Sequence, residues 1–222
     1  MKVVILTDST GSPRIYPKSE RVDLDQTYPY LIKKKYDKYK FWQLSLGNQI
    51  SELLIDQARG YLLNWKPDFI ILGTGINDAR PEAFSEETIK IFKFKGKLSF
   101  LNRFINKFFF LPSLIRYFNQ HRVSKKNFSK TIRSLKKTFK DSKIIWLEIS
   151  CHKDYENIRP GVIRRKSEFN KIIKSFIGNN FIEIDQDIYS KNFFSKDLIH
   201  FNDSGHKLIS EKIIEKIEKT KI

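Results

Sequence analysis

The sequence predicts an α/β domain with a five-stranded parallel sheet that carries helices on both faces. Short, apolar, β-branched segments alternate with longer segments whose apolar residues recur at helical spacing. The short segments are apolar at nearly every position, which is typical of parallel strands buried on both faces. A length of 222 residues fits one such domain, spanning residues 1–222, with an insertion.

Five segments have the character of strands. They are Lys2–Thr7, Phe41–Leu46, Asp68–Gly73, Lys143–Ile149 and Phe181–Asp185. The helices predicted between and after them are Tyr28–Tyr36, Gly47–Asn64, Val123–Lys140, Arg164–Ile177 and Ser204–Lys219. This alternation implies parallel strands whose carboxyl ends share one edge of the sheet, where α/β proteins bind their ligands.

About 70 residues separate the third strand from the fourth, more than one crossover helix needs. We therefore expect a helical insertion at about residues 80–125. From Thr88 to Lys140 the chain has no Asp or Glu and 15 Lys and Arg, which leaves about +2 of the net charge of +17 for the rest. A solvated lysine-rich surface is one interpretation. The other is a concentrated field that attracts nucleic acid, anionic lipid or acidic polysaccharide.

Within this basic segment, Phe100, Phe104 and Phe108 recur every fourth residue and predict a helix that ends near Pro112. Three roles are open for this helix. It would dock on the domain as a cap, contact a membrane or a lipid-linked substrate through an amphipathic surface, or form part of a groove that binds a partner protein. The next helix should pack on the sheet through one apolar face. That face consists of Phe128, Ile132, Leu135 and Phe139.

The composition bears on the location of the protein. No run approaches the roughly 18 apolar residues of a membrane-spanning helix, and the first apolar run is too short for a secretory signal. The single Cys151 excludes an intramolecular disulfide and fits a reducing compartment. We expect a cytoplasmic protein, at the inner face of the membrane if the insertion contacts lipid.

Ser9 follows the first predicted strand after Asp8, in a turn that continues to Gly11. A serine exposed on a tight turn is a candidate nucleophile, provided that a base takes its proton. A serine at this place also caps helices or lines phosphate-binding turns. On its own, Ser9 therefore leaves both interpretations open.

Asp197 and His200 lie three residues apart, just before the last predicted helix. Both side chains can converge from one turn, so that the carboxylate fixes the imidazole tautomer while the imidazole acts as base. A surface aspartate beside a loop histidine is the plain alternative. His206, in the first turn of the final helix, is expected to be structural.

Asn77 and Gly47 are candidate donors to a developing negative oxygen. The Asn77 amide follows the third strand, and Gly47, after the second, offers an unhindered backbone N–H. One such donor contributes about 3–4 kcal/mol in the transition state. Asp78 caps or braces the same loop. An Asn-Asp turn and a strand-to-helix glycine are the alternatives.

Taken together, four blocks of the sequence resemble the SGNH/GDSL hydrolase family. The resemblance covers most of the chain and is interrupted by the basic insertion. In its first block this chain has Thr where the family usually has the Gly of Gly-Asp-Ser. The blocks are Thr7-Asp8-Ser9-Thr10, Leu46-Gly47-Asn48, Gly75-Ile76-Asn77-Asp78 and Asp197-Leu198-Ile199-His200.

The resemblance implies a three-layer α/β/α, flavodoxin-like domain with Ser9, His200 and Asp197 as a catalytic triad. The oxyanion would be held by the N–H groups of Ser9 and Gly47 and by the Asn77 side chain. It implies no metal and no organic cofactor. The threonine at position 7 departs from the family's pattern and bears on the turn at the nucleophile.

A finer likeness lies in two stretches, Asp8 to Arg14 and Asn77 to Pro81. They look like the branch of this family found with bacterial surface-polysaccharide biosynthesis. Arg14 and Arg80 would then flank the nucleophile and bind a carboxylate or phosphate of the substrate. Loop bracing by salt bridges is the alternative.

The expected function is a serine-dependent ester hydrolase or acyltransferase. It would act on O-acetyl groups of a bacterial surface glycan or its precursor, an acylated carbohydrate that is anionic or lipid-linked. A lipid esterase or lysophospholipase is the second interpretation, and a non-catalytic binding module for an anionic polymer is the third. Nucleic acid is disfavoured as a partner, because the aromatic residues of the insertion fall at helical spacing rather than on a stacking surface.

Overall fold

A computed structural model of the protein describes residues 1–84, 111–184 and 193–220. Its strands are β1 (Lys2–Thr7), β2 (Lys40–Ser45), β3 (Phe69–Gly73), β4 (Pro81–Glu82), β5 (Gln120–His121), β6 (Lys143–Leu147) and β7 (Phe181–Ile182). Five of them form the central sheet in the order β2-β1-β3-β6-β7, with every pairing parallel. β4 and β5 pair antiparallel in a separate two-stranded sheet.

Helices cover both faces of the central sheet. They are α1 (Tyr28–Lys35), α2 (Ser51–Trp65), α3 (Ile76–Ala79), α4 (Pro112–Phe118), α5 (Lys125–Thr138), α6 (Tyr155–Ile158), α7 (Val162–Ile177) and α8 (Asp203–Thr220). Helices α2, α5 and α7 pack on one face, and α1 and α8 on the other. The predicted three-layer α/β/α architecture with its five-stranded parallel sheet is therefore confirmed.

The strand β1 shows why the central segments are continuously apolar. Val4 and Leu6 belong to the core under α2, α5 and α7, whereas Val3 and Ile5 belong to the core under α1 and α8. Successive side chains of a strand point to opposite faces, so a strand between two helical layers buries every position. All four of these side chains are buried.

Helix α2 begins at Ser51, so its predicted start at Gly47 was wrong. Asn48 adopts the left-handed conformation, with φ of 58°, which ends any helical path through the turn. The Ser51 N–H instead donates to the side chain of Asp78. The start of the helix is thus set by a residue from a distant segment.

The predicted helical insertion is described only at its two ends. Helix α4 begins at Pro112, where the sequence predicted a helix to end; proline is favoured in the first helical turn, where its missing N–H costs nothing. The predicted helix through Phe100, Phe104 and Phe108 lies outside the described residues, as does Asp185 at the end of the fifth predicted strand.

Helix α5 follows the prediction closely. Its basic residues are exposed, and the four predicted inward residues are buried against the sheet. These are Phe128, Ile132, Leu135 and Phe139.

Among residues 1–84, 111–184 and 193–220, no helix is both long enough and apolar enough to cross a membrane.

Candidate active site

The register of the sheet brings three predicted segments to one edge. Thr7 at the end of β1 is aligned with Ser45 of β2 on one side and with Gly73 of β3 on the other. The residues that follow these strands therefore emerge side by side, at the carboxyl end of the sheet. Ser9 and Gly47 are in direct proximity there, since a Cβ at Gly47 would lie 4.0 Å from the Ser9 Cβ.

Ser9 begins a single 3₁₀ turn that is organised by the buried carboxylate of Asp8. The Asp8 Oδ1 accepts hydrogen bonds from the Thr10 N–H at 2.9 Å and from the Thr10 hydroxyl at 2.7 Å. Burial raises the pKa of Asp8, and the two bonds from Thr10 oppose that rise. The turn presents the Ser9 side chain at the sheet edge while Asp8 remains inside.

The threonine at position 7 has a polar partner and a space of its own beside the turn. Its hydroxyl donates to the Ser45 Oγ at 2.7 Å. Its side chain occupies the space beside Gly11, where a Cβ would lie only 2.4 Å from the Thr7 Oγ1. A larger residue at position 11 would collide with Thr7, so the glycine makes room for the threonine.

The loop of residues 193–202, here called the His200 loop, brings an imidazole to Ser9. The His200 Nε2 lies 2.8 Å from the Ser9 Oγ, and the His200 Nδ1 lies 2.6 Å from the Asp197 Oδ2. Between them, Leu198 has φ of 70°, a conformation that a non-glycine residue adopts at an energetic cost. This turn lets Asp197 and His200 face each other.

Asp197 is held as a carboxylate. Burial opposes its ionisation, but the hydrogen bond and charge of His200 and the N–H groups of Ile199 and His200 lower its pKa to about 2. These N–H groups donate to Oδ1 at 3.2 and 3.1 Å. A charged, immobilised carboxylate is what fixes one tautomer of the neighbouring imidazole.

Asn77 lies in α3, directly after β3, and is only 5% exposed. Its Nδ2 is buried and finds no hydrogen-bond partner among the described residues. A buried amide without a partner costs free energy, so this donor is free of competing acceptors among the described residues at the carboxyl edge of the sheet. The structure thus places Asn77 on the edge with Ser9 and Gly47.

The two arginines of the finer likeness both brace loops. Arg14 Nη1 lies 2.7 Å from the Asp197 Oδ2, and Arg14 Nη2 lies 3.5 Å from Glu20. Arg80 Nη2 donates to the Asn48 Oδ1 at 3.0 Å and to the Glu82 Oε1 at 2.9 Å. Their predicted role in substrate binding stays a prediction, since each guanidinium already has partners in the chain.

Two neighbouring groups have structural contacts. The Asp78 carboxylate accepts from Ser51, and the buried His206 accepts from the Tyr28 N–H at 3.2 Å through its Nδ1. Burial lowers the pKa of His206 to about 4. Glu20 contacts Arg14 and accepts a hydrogen bond from the Lys196 N–H. It was not predicted from the sequence, because no motif surrounds it.

No protein-family model and no curated protein sequence matches the chain. Solved structures match it over nearly its whole length. The lipase/acylhydrolase from Enterococcus faecalis superimposes with a TM-score of 0.67 at 15% identity, covering 99% of this chain and 96% of its own. The esterase EstA from Pseudoalteromonas sp. has a TM-score of 0.59 at 15% identity, covering 98% and 97%.

A third solved structure is that of the acetyl xylan esterase AlAXEase. Its TM-score is 0.57 at 16% identity, and the match covers 97% of this chain and 98% of that one. At such identities the likeness establishes the fold, while the chemistry has to be argued from the residues of this chain.

Proposed function

We propose that this chain, whose fold is that of the SGNH/GDSL lipases and acylhydrolases, is a serine ester hydrolase or acyltransferase. One observation carries the proposal, the hydrogen-bonded series Ser9 Oγ, His200 and Asp197 with distances of 2.8 and 2.6 Å. A hydroxyl within reach of an imidazole that is itself oriented by a carboxylate is suited to nucleophilic acyl transfer.

In the proposed reaction, His200 Nε2 takes the proton of the Ser9 hydroxyl while Ser9 Oγ bonds to the carbonyl carbon of an ester. The carbonyl double bond opens, and its oxygen becomes negative. When the carbonyl re-forms, the bond to the alcohol breaks, and the alcohol leaves with the proton from His200. Water or another hydroxyl, deprotonated by His200, then attacks the carbonyl carbon of the acylated Ser9. The bond from this carbon to Ser9 Oγ breaks, His200 returns the proton to Ser9 Oγ, and an acid or a new ester is released.

The negative oxygen would be stabilised at the same edge of the sheet. The N–H groups of Ser9 and Gly47 and the buried Nδ2 of Asn77 are the proposed donors. Asn77 Nδ2 has no hydrogen-bond partner within the described part of the chain, which supports this role. A donor that binds an acceptor formed only during the reaction favours the transition state over the substrate.

We further propose that the acyl group is an acetyl on a sugar hydroxyl of a bacterial surface glycan or its precursor. The match to an acetyl xylan esterase supports this choice. The guanidinium of Arg122, which donates to Asn48 O and Oδ1 at 3.3 and 3.2 Å, adds positive charge next to Gly47. A cation at this place suits a glycan that carries acidic groups.

A lipid esterase is the second candidate, favoured by the surface of α4. Tyr117 is 82% exposed and Phe118 is 43% exposed, next to the basic Arg116. Exposed aromatic residues beside a cation are suited to the boundary of a lipid bilayer. With an acyl lipid or a lipid-linked glycan as substrate, the reaction would take place at the inner face of the membrane.

The nucleophile is tested by labelling with a serine-reactive fluorophosphonate. Wild-type protein should be labelled, whereas Ser9→Ala should not and His200→Ala should react far more slowly. Ser12→Ala is the matched control, since Ser12 directly follows the same turn and has no role in the proposed reaction, and it should be labelled like the wild type. Equal labelling of Ser9→Ala and the wild type would contradict the proposed nucleophile.

The two substrate classes are separated by comparing acetylated xylo-oligosaccharides with a lysophospholipid. The proposed glycan activity predicts acetate release from the sugar and little fatty acid release from the lipid. Ser9→Ala serves as the blank in both assays. Hydrolysis of the lipid alone would transfer the assignment to the second candidate.

A further inference from the structure

The Asp197 carboxylate contacts a second basic side chain besides the imidazole of His200. Its Oδ2 lies 2.6 Å from His200 Nδ1 and 2.7 Å from Arg14 Nη1. The side chains of Arg14 and Asp197 are 18% and 31% exposed, so water screens this ion pair only in part. The negative charge that orients His200 is therefore shared with a guanidinium that stays charged at every pH of interest.

Arg14 is fixed in this place by its own surroundings. Its backbone pairs with Val22 through two hydrogen bonds of 2.8 Å. Its Nη2 lies 3.5 Å from Glu20, whose carboxylate also accepts from the Lys196 N–H at 3.1 Å. The segment after Ser9 is thus clamped to the His200 loop, and the guanidinium stands at Asp197 before any substrate arrives.

We propose that Arg14 is a positioning residue which shares the charge of Asp197 and so keeps His200 neutral, as a base must be, to a lower pH. The inference rests on the proposed function for its catalytic meaning. In a triad the carboxylate stabilises the protonated imidazole. A guanidinium on the same carboxylate oxygen weakens that stabilisation, so the ring takes up its proton only in more acidic solution.

Other charged groups around His200 do not replace Arg14 in this role. In the described ranges 1–84, 111–184 and 193–220, the charged groups near the ring or its partners are Asp197, Arg14, Asp8, His206, Glu20 and Lys196. Asp8 and Glu20 are acids, which favour protonation of His200 rather than oppose it. Lys196 is 84% exposed, and burial lowers the pKa of His206 to about 4, so that it is neutral near pH 7.

The direct test is an NMR titration of the His200 ring, identified by its loss in His200→Gln. Arg14→Met should raise the titration midpoint by about half to one pH unit, the effect expected of a partly screened charge one carboxylate away. Arg14→Lys retains the charge without the planar fork and should show a smaller rise. An unchanged or lowered midpoint in Arg14→Met would overturn the proposal.

Glu20→Gln is the matched control for bracing. It removes the carboxylate that clamps the two segments but leaves the guanidinium at Asp197. Its midpoint should not rise, because a nearby negative charge has been lost. A rise equal to that of Arg14→Met would mean that the clamp, and not the charge of Arg14, sets the midpoint, which would also refute the inference.

Kinetics provide the second readout, with p-nitrophenyl acetate as a neutral substrate. In Arg14→Met the acid limb of kcat/KM should move to higher pH by the same amount as the titration midpoint. If Arg14 instead bound an anionic group of the substrate, this limb would stay in place for the neutral ester. If it only braced the loop, kcat would fall equally at all pH values. Either result would overturn the inference.

The two proposals fail in different ways. A protein that neither reacts with fluorophosphonate nor cleaves esters would disprove the proposed function. The NMR titration needs no turnover, so it still decides whether Arg14 shifts the protonation of His200.

Discussion

The Asp78 carboxylate accepts hydrogen bonds from the Ser51 N–H and from the Ser51 hydroxyl, both at 2.9 Å. Asp78 lies in α3 beside Asn77, whereas Ser51 is the first residue of α2, four positions after Gly47. This contact therefore ties together two of the segments that supply the proposed oxyanion donors.

The first prediction concerns the pH dependence of this contact. Burial raises the pKa of Asp78 from 3.8 to about 7, against the opposing effect of its bonds from Ser51. Between these values the unfolded chain loses a proton that the folded protein keeps, so the contribution of Asp78 to the free energy of unfolding falls as pH rises. Asp78→Asn has no carboxyl group that titrates here. Its free energy of unfolding should therefore rise relative to that of the wild type by about 1.4 kcal/mol per pH unit between about pH 4 and 7.

Urea denaturation of both proteins at several pH values measures this difference. The asparagine can still accept from Ser51 through its own carbonyl oxygen, so the contact itself is retained. A difference that stays constant with pH would show that Asp78 is ionised in the folded protein throughout.

The second prediction concerns Asn77. Asn77→Ala should lower kcat about 100- to 1000-fold and leave KM nearly unchanged, because the lost donor acts on an oxygen that is negative only in the transition state. Steady-state hydrolysis of p-nitrophenyl acetate measures both constants. Asn64→Ala, on the exposed side of α2, is the control and should retain the wild-type kcat. An equal kcat in both variants would show that Asn77 is not a donor to the negative oxygen of the transition state.

The third prediction contrasts two helical glycines. A Cβ at Gly205 would lie 2.4 Å from the carbonyl oxygen of Phe193, whereas a Cβ at Gly60 would meet no atom within 4 Å. Phe193 begins the His200 loop, and its carbonyl oxygen also accepts from the Asn202 N–H. Gly205→Ala should therefore destabilise the protein by about 1–3 kcal/mol.

Gly60→Ala should instead stabilise it by up to about 1 kcal/mol, since alanine is the better helix former. Thermal unfolding followed by circular dichroism compares the two variants. Gly205→Ala should also lower kcat by displacing the His200 loop. A Gly205→Ala variant as stable as Gly60→Ala would mean that this loop yields at little cost.

The fourth prediction concerns stability in acid. Burial lowers the pKa of His206 from 6.5 to about 4, with a contribution from the charge of His200. As pH falls from 6.5 to 4, the unfolded chain binds a proton that the folded protein rejects. The contribution of His206 to the free energy of unfolding should therefore fall by about 1.4 kcal/mol per pH unit, on the order of 3 kcal/mol in all, against the opposite change that Asp78 contributes over this range.

His206→Asn should flatten this dependence, because its side-chain oxygen can accept from the Tyr28 N–H where His206 Nδ1 does now. Its stability is expected to be lower at neutral pH, since the imidazole also packs against Phe201 and Tyr28. Guanidinium denaturation between pH 7 and 4 is the measurement. An equal acid loss in the variant would point to another group.

The secondary structure was largely predictable where one local pattern decides it. The strand β1 follows from a continuous apolar run, and α5 follows from four apolar residues at helical spacing. Prediction failed where a distant partner decides the boundary. Helix α2 begins at Ser51 because Asp78 takes its N–H, and nothing between residues 47 and 51 encodes that partner.

The candidate site divides in the same way. Ser9, Asp197 and His200 could be proposed from short motifs, since spacing within one turn limits what two side chains can reach. The hydrogen bond between Ser9 and His200 joins residues 191 positions apart, and it depends on the course of the intervening chain. The pairing of Arg14 with Asp197 had no motif at all, since the sequence left both substrate binding and loop bracing by salt bridges open for Arg14 and named no partner.

From its sequence alone this protein was predicted to be a parallel α/β domain, with a candidate nucleophile, base and acid in the segments that follow its strands. The tertiary structure decided that Thr7, Ser45 and Gly73 end at one level and that a guanidinium completes the surroundings of Asp197. The reason is physical. Periodicity and turn chemistry act over a few residues, whereas strand register and ion pairing arise only when packing brings distant segments together.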